Sequence, residues 1–169
     1  MDRRTFIRKA GVLTGGAAAG VAGLAAPAGA QAAPEIEWRL TSSYPKALGN
    51  LYKVAEDFAG WVAEATEGRF RITVSPVGEI AGPFAALDAL GDGKAEMAHT
   101  ASYYYTDRDP AFAFGTTIPF GLNARQQNAW LYEGGGNALL NEVYAGFGIY
   151  GLPAGNTGAQ MGGWFRKEI

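Results

Sequence analysis

Residues 36–45 read IEWRLTSSYP, and the change of character within this stretch decides the fold. Ile36, Trp38 and Leu40 alternate with Glu37, Arg39 and Thr41, the period of two of a half-buried strand. Ser42-Ser43-Tyr44-Pro45 then ends it with turn-forming residues. Leu51, Val54, Phe58, Val62 and Ala65 follow at steps of three and four, which predicts a helix with one buried face, stopped by Gly68. Phe70-Arg71-Ile72-Thr73-Val74 is a second strand, rich in β-branched residues. A turn through Pro76, Gly78 and Gly82 leads to Pro83, expected as the first residue of a helix carrying Leu87 and Leu90. Met97-Ala98-His99-Thr100 reads as a short third strand. Helices are predicted over residues 123–133 and 137–147 around a hinge at Gly134-Gly135-Gly136, with a further strand over 149–153.

Strands alternating with helices predict an α/β fold whose ligands sit at the C-terminal edge of the sheet, where the connecting loops gather. Here those loops are Ser42-Ser43-Tyr44, Gly78-Glu79-Ile80 and Ala101-Ser102-Tyr103-Tyr104. Hydroxyls and aromatic rings dominate them, the composition of a small-molecule cleft.

At 169 residues there is room for about one domain, and a hydrophobic content of 48% with 18% charged residues is enough to build a core. The absence of cysteine excludes disulfides, thiolate zinc sites and a cysteine nucleophile. A single histidine, His99, makes a histidine-rich metal site or a Ser-His-Asp triad hard to assemble. The first thirty-two residues are of another kind. They have a basic head, a weakly apolar Gly/Ala middle and small residues at Ala28-Gly29-Ala30 and Ala30-Gln31-Ala32, the layout of an export signal. The head, Arg3-Arg4-Thr5-Phe6-Ile7-Arg8-Lys9, resembles a twin-arginine motif, so the expected destination is the periplasm. Without residues 1–32 the basic count falls from 14 to 10 and the acidic count from 16 to 15, a net charge of −5. An acidic domain of that kind is not expected to bind nucleic acid or anionic lipid.

Several enzyme signatures fail on context. Gly146-Phe147-Gly148-Ile149-Tyr150-Gly151 matches GxGxxG in letters, but a dinucleotide loop needs a strand before it and a helix after it, the reverse of the order here. Asp107 and Asp109 precede Pro110 and read as a solvated loop with an N-cap. His99 reads as a packed, hydrogen-bonded side chain. Tyr103-Tyr104-Tyr105 is more promising: in a strand or extended loop successive rings face opposite sides, so one or two can line a cleft with their hydroxyls. The closing stretch GNTGAQMGGWFRKEI offers Asn156, Thr157 and Gln160 as amide and hydroxyl groups on a glycine-rich backbone, and their oxygens also suit sodium or calcium. Arg166 is either a bidentate carboxylate clamp or a surface arginine at a strand edge.

Taken together, Thr41-Ser42-Ser43-Tyr44-Pro45, Gly78-Glu79-Ile80, Leu87-Asp88-Ala89-Leu90, Gly93-Lys94-Ala95-Glu96-Met97, Ser102-Tyr103-Tyr104-Tyr105 and Ile118-Pro119-Phe120-Gly121, with the end stretch, resemble the extracytoplasmic solute receptors of TRAP transporters. The likeness is nearest to the branch that binds 2-oxoacids such as pyruvate, also labelled mannitol/chloroaromatic type. It implies a periplasmic-binding-protein-like receptor of two α/β lobes that closes over a small carboxylate and works with small and large membrane subunits driven by a sodium gradient, with no catalysis and no organic cofactor. A sodium or calcium ion beside the ligand and a homodimer fit the same picture. On this reading residues 1–32 are the leader, 33–153 the first lobe, and 154–169 the crossing segment and the start of a truncated second lobe. Tyr103 and Tyr104 match the cleft tyrosines, Gln160 matches the ligand-binding glutamine and is the expected metal ligand, and Asn156 lies on the crossing segment. The family's carboxylate-binding arginine belongs further downstream and does not match Arg166. A polyol or aromatic acid is the alternative ligand, and an exported enzyme the alternative class.

Overall fold

The computed structural model describes residues 34–116, 118–158, 163 and 165–168; the proposed leader and Gln160 lie outside them. Three strands, β1 (Ile36–Ser42), β2 (Phe70–Ser75) and β3 (Met97–His99), form a parallel sheet in the order β2-β1-β3. The register runs from Ile36 opposite Phe70 to Thr41 opposite Ser75, while β3 pairs only with Leu40, Thr41 and Ser42. The burial of β1 follows from this. Its first four residues have one neighbouring strand and stay exposed; Leu40 and Thr41, flanked on both sides, and Ser42, paired with His99, are buried. Trp38 is covered on one edge only, by the Phe70 ring 5.0 Å away.

Helix α1 (Gly49–Ala65) crosses from β1 to β2 and packs on β2; α2 (Ala86–Gly91) crosses back to β3. The first crossover runs from β1 to β2 and the second from β2 back past β1 to β3, in opposite directions across the sheet, so right-handed connections put α1 and α2 on opposite faces. Two corrections to the sequence reading arise here. Helix α1 buries Tyr52, Ala55 and Ala59, while Val54, Phe58 and Trp61 remain exposed. Small alanines let the helix lie close to the sheet, and Tyr52 anchors it by donating its hydroxyl to the Val74 carbonyl at 3.2 Å. Pro83 lies in the turn before α2, which starts three residues later at Ala86.

Beyond β3 the chain is helical: two 3₁₀ helices (Ser102–Tyr105 and Pro110–Gly115), then α3 (Ala124–Tyr132) and α4 (Gly136–Ala145). Asp109 caps the second 3₁₀ helix by accepting the Ala111 N–H at 2.8 Å. A reciprocal capping box starts α3: Asn123 Oδ1 accepts the Gln126 N–H and Gln126 Oε1 accepts the Asn123 N–H, both at 3.0 Å. The glycine hinge joins α3 to α4, with Gly135 at φ 78° and Gly136 so close to the Trp130 ring that a Cβ would lie 2.5 Å from it. These helices enclose the core of Leu87, Tyr105, Phe112, Leu131, Leu140 and Tyr144. The strand expected over 149–153 is absent. Asn141 takes that segment's backbone instead, accepting the Gly151 N–H at 2.7 Å and donating to the Gly151 carbonyl at 2.9 Å.

Candidate functional site

All three strands are parallel, so their C-terminal ends open on one edge, and the hydroxyl-rich segments follow them there. Thr41, Ser42 and Ser43 are buried. Ser43 Oγ donates to Thr100 Oγ1 at 2.7 Å, and Thr100 Oγ1 pairs with the Tyr105 hydroxyl at 2.9 Å. This chain of hydroxyls ties the exits of β1 and β3 together. Ser42 Oγ accepts the Tyr44 N–H at 3.2 Å and lies 3.4 Å from His99 Nδ1, while the Tyr44 ring meets the His99 ring edge-on at 5.1 Å.

The tyrosine triplet adopts a 3₁₀ turn, correcting the extended reading. With three residues per turn, successive side chains are a third of a circle apart, so the three rings diverge. Tyr105 enters the core at 1% exposure, Tyr104 is half-buried and Tyr103 is exposed. Thr116 fixes this turn: its Oγ1 pairs with Ser102 Oγ at 2.6 Å and accepts the Tyr103 N–H at 3.1 Å. Tyr103 and Tyr104 stack edge-on at 4.7 Å, and Phe84 stands perpendicular to Tyr104 at 5.0 Å. Burial pushes the Tyr104 hydroxyl well above the usual phenol range, and interactions with the hydroxyls of Tyr103 and Tyr44 add to it. Burial likewise raises Tyr44. These phenols therefore stay protonated and present neutral hydrogen-bond donors beside an aromatic wall.

Tyr103 and Tyr104 are thus brought together, and Tyr44 and Phe84 join them. Sequence reasoning placed Tyr44 in a cleft loop without singling it out, and nothing in the local pattern marks Phe84. Asn156 is exposed; it donates to Asn128 Oδ1 at 3.4 Å and accepts the Gly158 N–H at 3.1 Å, contacts separate from the tyrosines. Arg166 is exposed, and among the described residues no hydrogen bond or ion pair joins it to the tyrosine edge. Among those residues no cluster of three His, Asp or Glu side chains is placed to hold a metal. An apolar cavity of about 210 Å³, lined by Phe114, Ile118, Gly121, Leu122, Gln127 and Trp130, shares none of these site residues.

A parallel 2-1-3 sheet with neutral donors and rings at its C-terminal edge is a lobe of the periplasmic-binding-protein type. The chain belongs to the bacterial extracellular solute-binding protein family 7, whose model matches residues 41–169. It is 54% identical over 136 residues to the monocarboxylate 2-oxoacid-binding periplasmic protein of Nostoc sp. (strain PCC 7120), covering 80% of this chain and 37% of that one. It is similar to a TRAP transporter solute-binding protein from Bordetella bronchiseptica RB50 (TM-score 0.76, 41% identity, 80% of this chain and 40% of that one), a mixed-occupancy dimer with copurified calcium and picolinate. It is similar also to a TRAP periplasmic solute-binding protein from Pseudoalteromonas atlantica with bound sodium and pyruvate (TM-score 0.76, 39% identity, 79% and 41%). The resemblance drawn from the motifs holds, and the chain spans about two fifths of the length of these relatives.

Proposed function

We propose that this chain forms part of a periplasmic receptor that captures a small 2-oxoacid such as pyruvate and delivers it to the membrane subunits of a sodium-driven TRAP transporter, without catalysing a reaction. The observation that carries the proposal is the cluster of Tyr44, Tyr103 and Tyr104 at the C-terminal edge of the sheet. Neutral phenol donors suit a carboxylate or keto oxygen, and their rings wall off water from it. Relatives that hold pyruvate with sodium, and picolinate with calcium, support the ligand class and a cation beside it. In this chain Gln160 is the proposed oxygen donor to that cation, Asn156 the proposed polar contact on the crossing segment, and Arg166 the remaining candidate for the carboxylate. Residues 1–32 are proposed to direct export through the twin-arginine route, 33–153 to form the first lobe, and 154–169 the crossing segment and the start of the second lobe. Relatives of periplasmic type support that location.

An aromatic acid is the second reading, favoured by the Phe84 ring against Tyr104 and by the picolinate of the Bordetella relative. The test is a titration of the chain with pyruvate and, separately, picolinate in sodium buffer, followed through the tyrosine ring signals by NMR. Tyr103 and Tyr104 should respond, and Tyr104→Phe, which keeps the ring and removes the hydroxyl, should weaken the response. Tyrosine signals unmoved by both acids would overturn the assignment.

A further inference from the structure

We propose that His99 is a positioning residue for Tyr44: neutral, with Nδ1 accepting from Ser42 Oγ, it sets the Tyr44 ring at the cleft edge, and its protonation displaces that ring. The inference deepens the reading of the tyrosine edge as the ligand site and rests on it.

The geometry is a relay through one oxygen. Ser42 Oγ accepts the Tyr44 N–H at 3.2 Å and faces His99 Nδ1 at 3.4 Å. Ser42 Oγ has two lone pairs and one proton; that N–H occupies one lone pair, and the proposal gives the proton to the imidazole, with Nδ1 the unprotonated nitrogen. The proton of neutral His99 then sits on Nε2. Two further contacts restrict movement: the His99 carbonyl accepts the Ser43 N–H at 2.8 Å, and the Tyr44 and His99 rings touch edge-on. Protonation makes Nδ1 a donor, so both Nδ1–H and the Tyr44 N–H aim at Ser42 Oγ and the serine proton loses its acceptor. Ser42 is only 1% exposed, so water cannot readily replace that acceptor, and a buried hydroxyl without one is destabilised. The relief open to the site is for the Tyr44 segment to move.

Burial holds the His99 imidazole below its usual value near 6.5, and no carboxylate or cation contributes to that shift. The elements packed against β3 carry Glu37 and Arg39 on β1 and Asp88 on α2. Arg39 pairs with Glu96 and Asp88 with Arg108, and none of these charges contributes to the His99 shift. The phenols of Tyr44 and Tyr104, raised by burial, remain protonated throughout the acid range. A Tyr44 transition below 6.5 that is absent from His99→Asn therefore belongs to His99.

The experiment uses the fact that the chain contains one histidine. Long-range 15N NMR should find the neutral imidazole protonated at Nε2, and the ring signals of Tyr44 should titrate with the midpoint of His99. Ser42→Ala should raise that midpoint and uncouple Tyr44, and Ser42→Thr, which keeps the hydroxyl, should restore both. His99→Asn, whose side-chain oxygen can take the place of Nδ1, should leave Tyr44 insensitive to pH even if Ser42→Ala fails to fold. Protonation at Nδ1 in the neutral form, or Tyr44 signals that ignore the His99 titration, would overturn the proposal. Pyruvate response is then measured on both sides of the midpoint, with a severalfold loss expected on the acid side. Intact coupling with an unchanged response would leave the relay standing and remove Tyr44 from the ligand site.

Discussion

Glu96 and Arg39 lie at the entry side of β3, away from the tyrosines, and they illustrate what a single exposed pair does. Arg39 Nη2 donates to Glu96 Oε1 and the Arg39 N–H to Oε2, both at 2.7 Å, and the guanidinium also donates to the Gly93 carbonyl at 2.8 Å. Hydrogen bonds from the Arg39 side chain, then its backbone N–H, hold the Glu96 carboxyl at about 2, below its usual 4.5. A depressed carboxyl favours the fold above the unfolded value and loses that contribution as pH falls from 4.5 towards 2. Arg39→Gln should return the Glu96 midpoint towards 4.5, read by NMR; a wild-type midpoint already there would show that the pair does not persist in solution. His99 acts in the same direction by another cause. The fold favours its neutral form, so stability is full above the ordinary value of 6.5 and declines as pH falls through the depressed one. Denaturant midpoints across that window should fall in the wild type and stay flatter in His99→Asn; equal slopes would remove His99 as the titrating group.

At the scale of elements, the second 3₁₀ helix ends on a close approach that positions the first. A Cβ on Gly115 would lie 2.5 Å from the Tyr144 hydroxyl and 2.6 Å from Ser102 Oγ. Gly115→Ala should therefore cost about 1–3 kcal/mol by overpacking and disturb the Ser102–Thr116 pair that fixes Tyr103. A denaturant melt with unchanged tyrosine signals would mean that the site tolerates the methyl. The cap of α3 gives a cleaner number: Asn123→Ala breaks the capping box and should cost about 1 kcal/mol. Elements marked by local chemistry were legible in the sequence for this reason. Asn123 and Gln126 announce α3, and the β-branched run of β2 and the alternation of β1 announce strands. Where tertiary contacts outweigh local pattern, the reading went astray. Tyr52, Ala55 and Ala59 form the buried face of α1 because alanines allow close packing, although Val54 and Phe58 are more apolar. Residues 149–153 look like a strand, but the Asn141 side chain satisfies the backbone at Gly151 in place of a neighbouring strand.

For the whole molecule, the tyrosine edge was legible because parallel strands must gather their exits on one side, whatever the loops contain. The pairings of Tyr44 with His99 and of Phe84 with Tyr104 were not, since they depend on how residues far apart in the chain meet. The edge offers phenol and serine hydroxyls, and the arginine that touches it, Arg108, bonds the Tyr105 carbonyl through its backbone N–H while its guanidinium is held by the Asp88 carboxylate. A carboxylate held by neutral donors alone forgoes charge-assisted hydrogen bonds worth roughly 1.5–3 kcal/mol each. Two such bonds, at about 1.4 kcal/mol per tenfold, correspond to a hundredfold or more in affinity. Calorimetry with pyruvate in sodium buffer should accordingly show this chain binding at least a hundredfold more weakly than the Nostoc relative, of whose length it covers 37%. The NMR response proposed for Tyr103 and Tyr104 remains detectable in that weak regime. Arg166→Ala separates the remaining explanations. Affinity as tight as the relative's, lost in that variant, would place the Arg166 guanidinium on the carboxylate after all and make this chain's own cation its clamp.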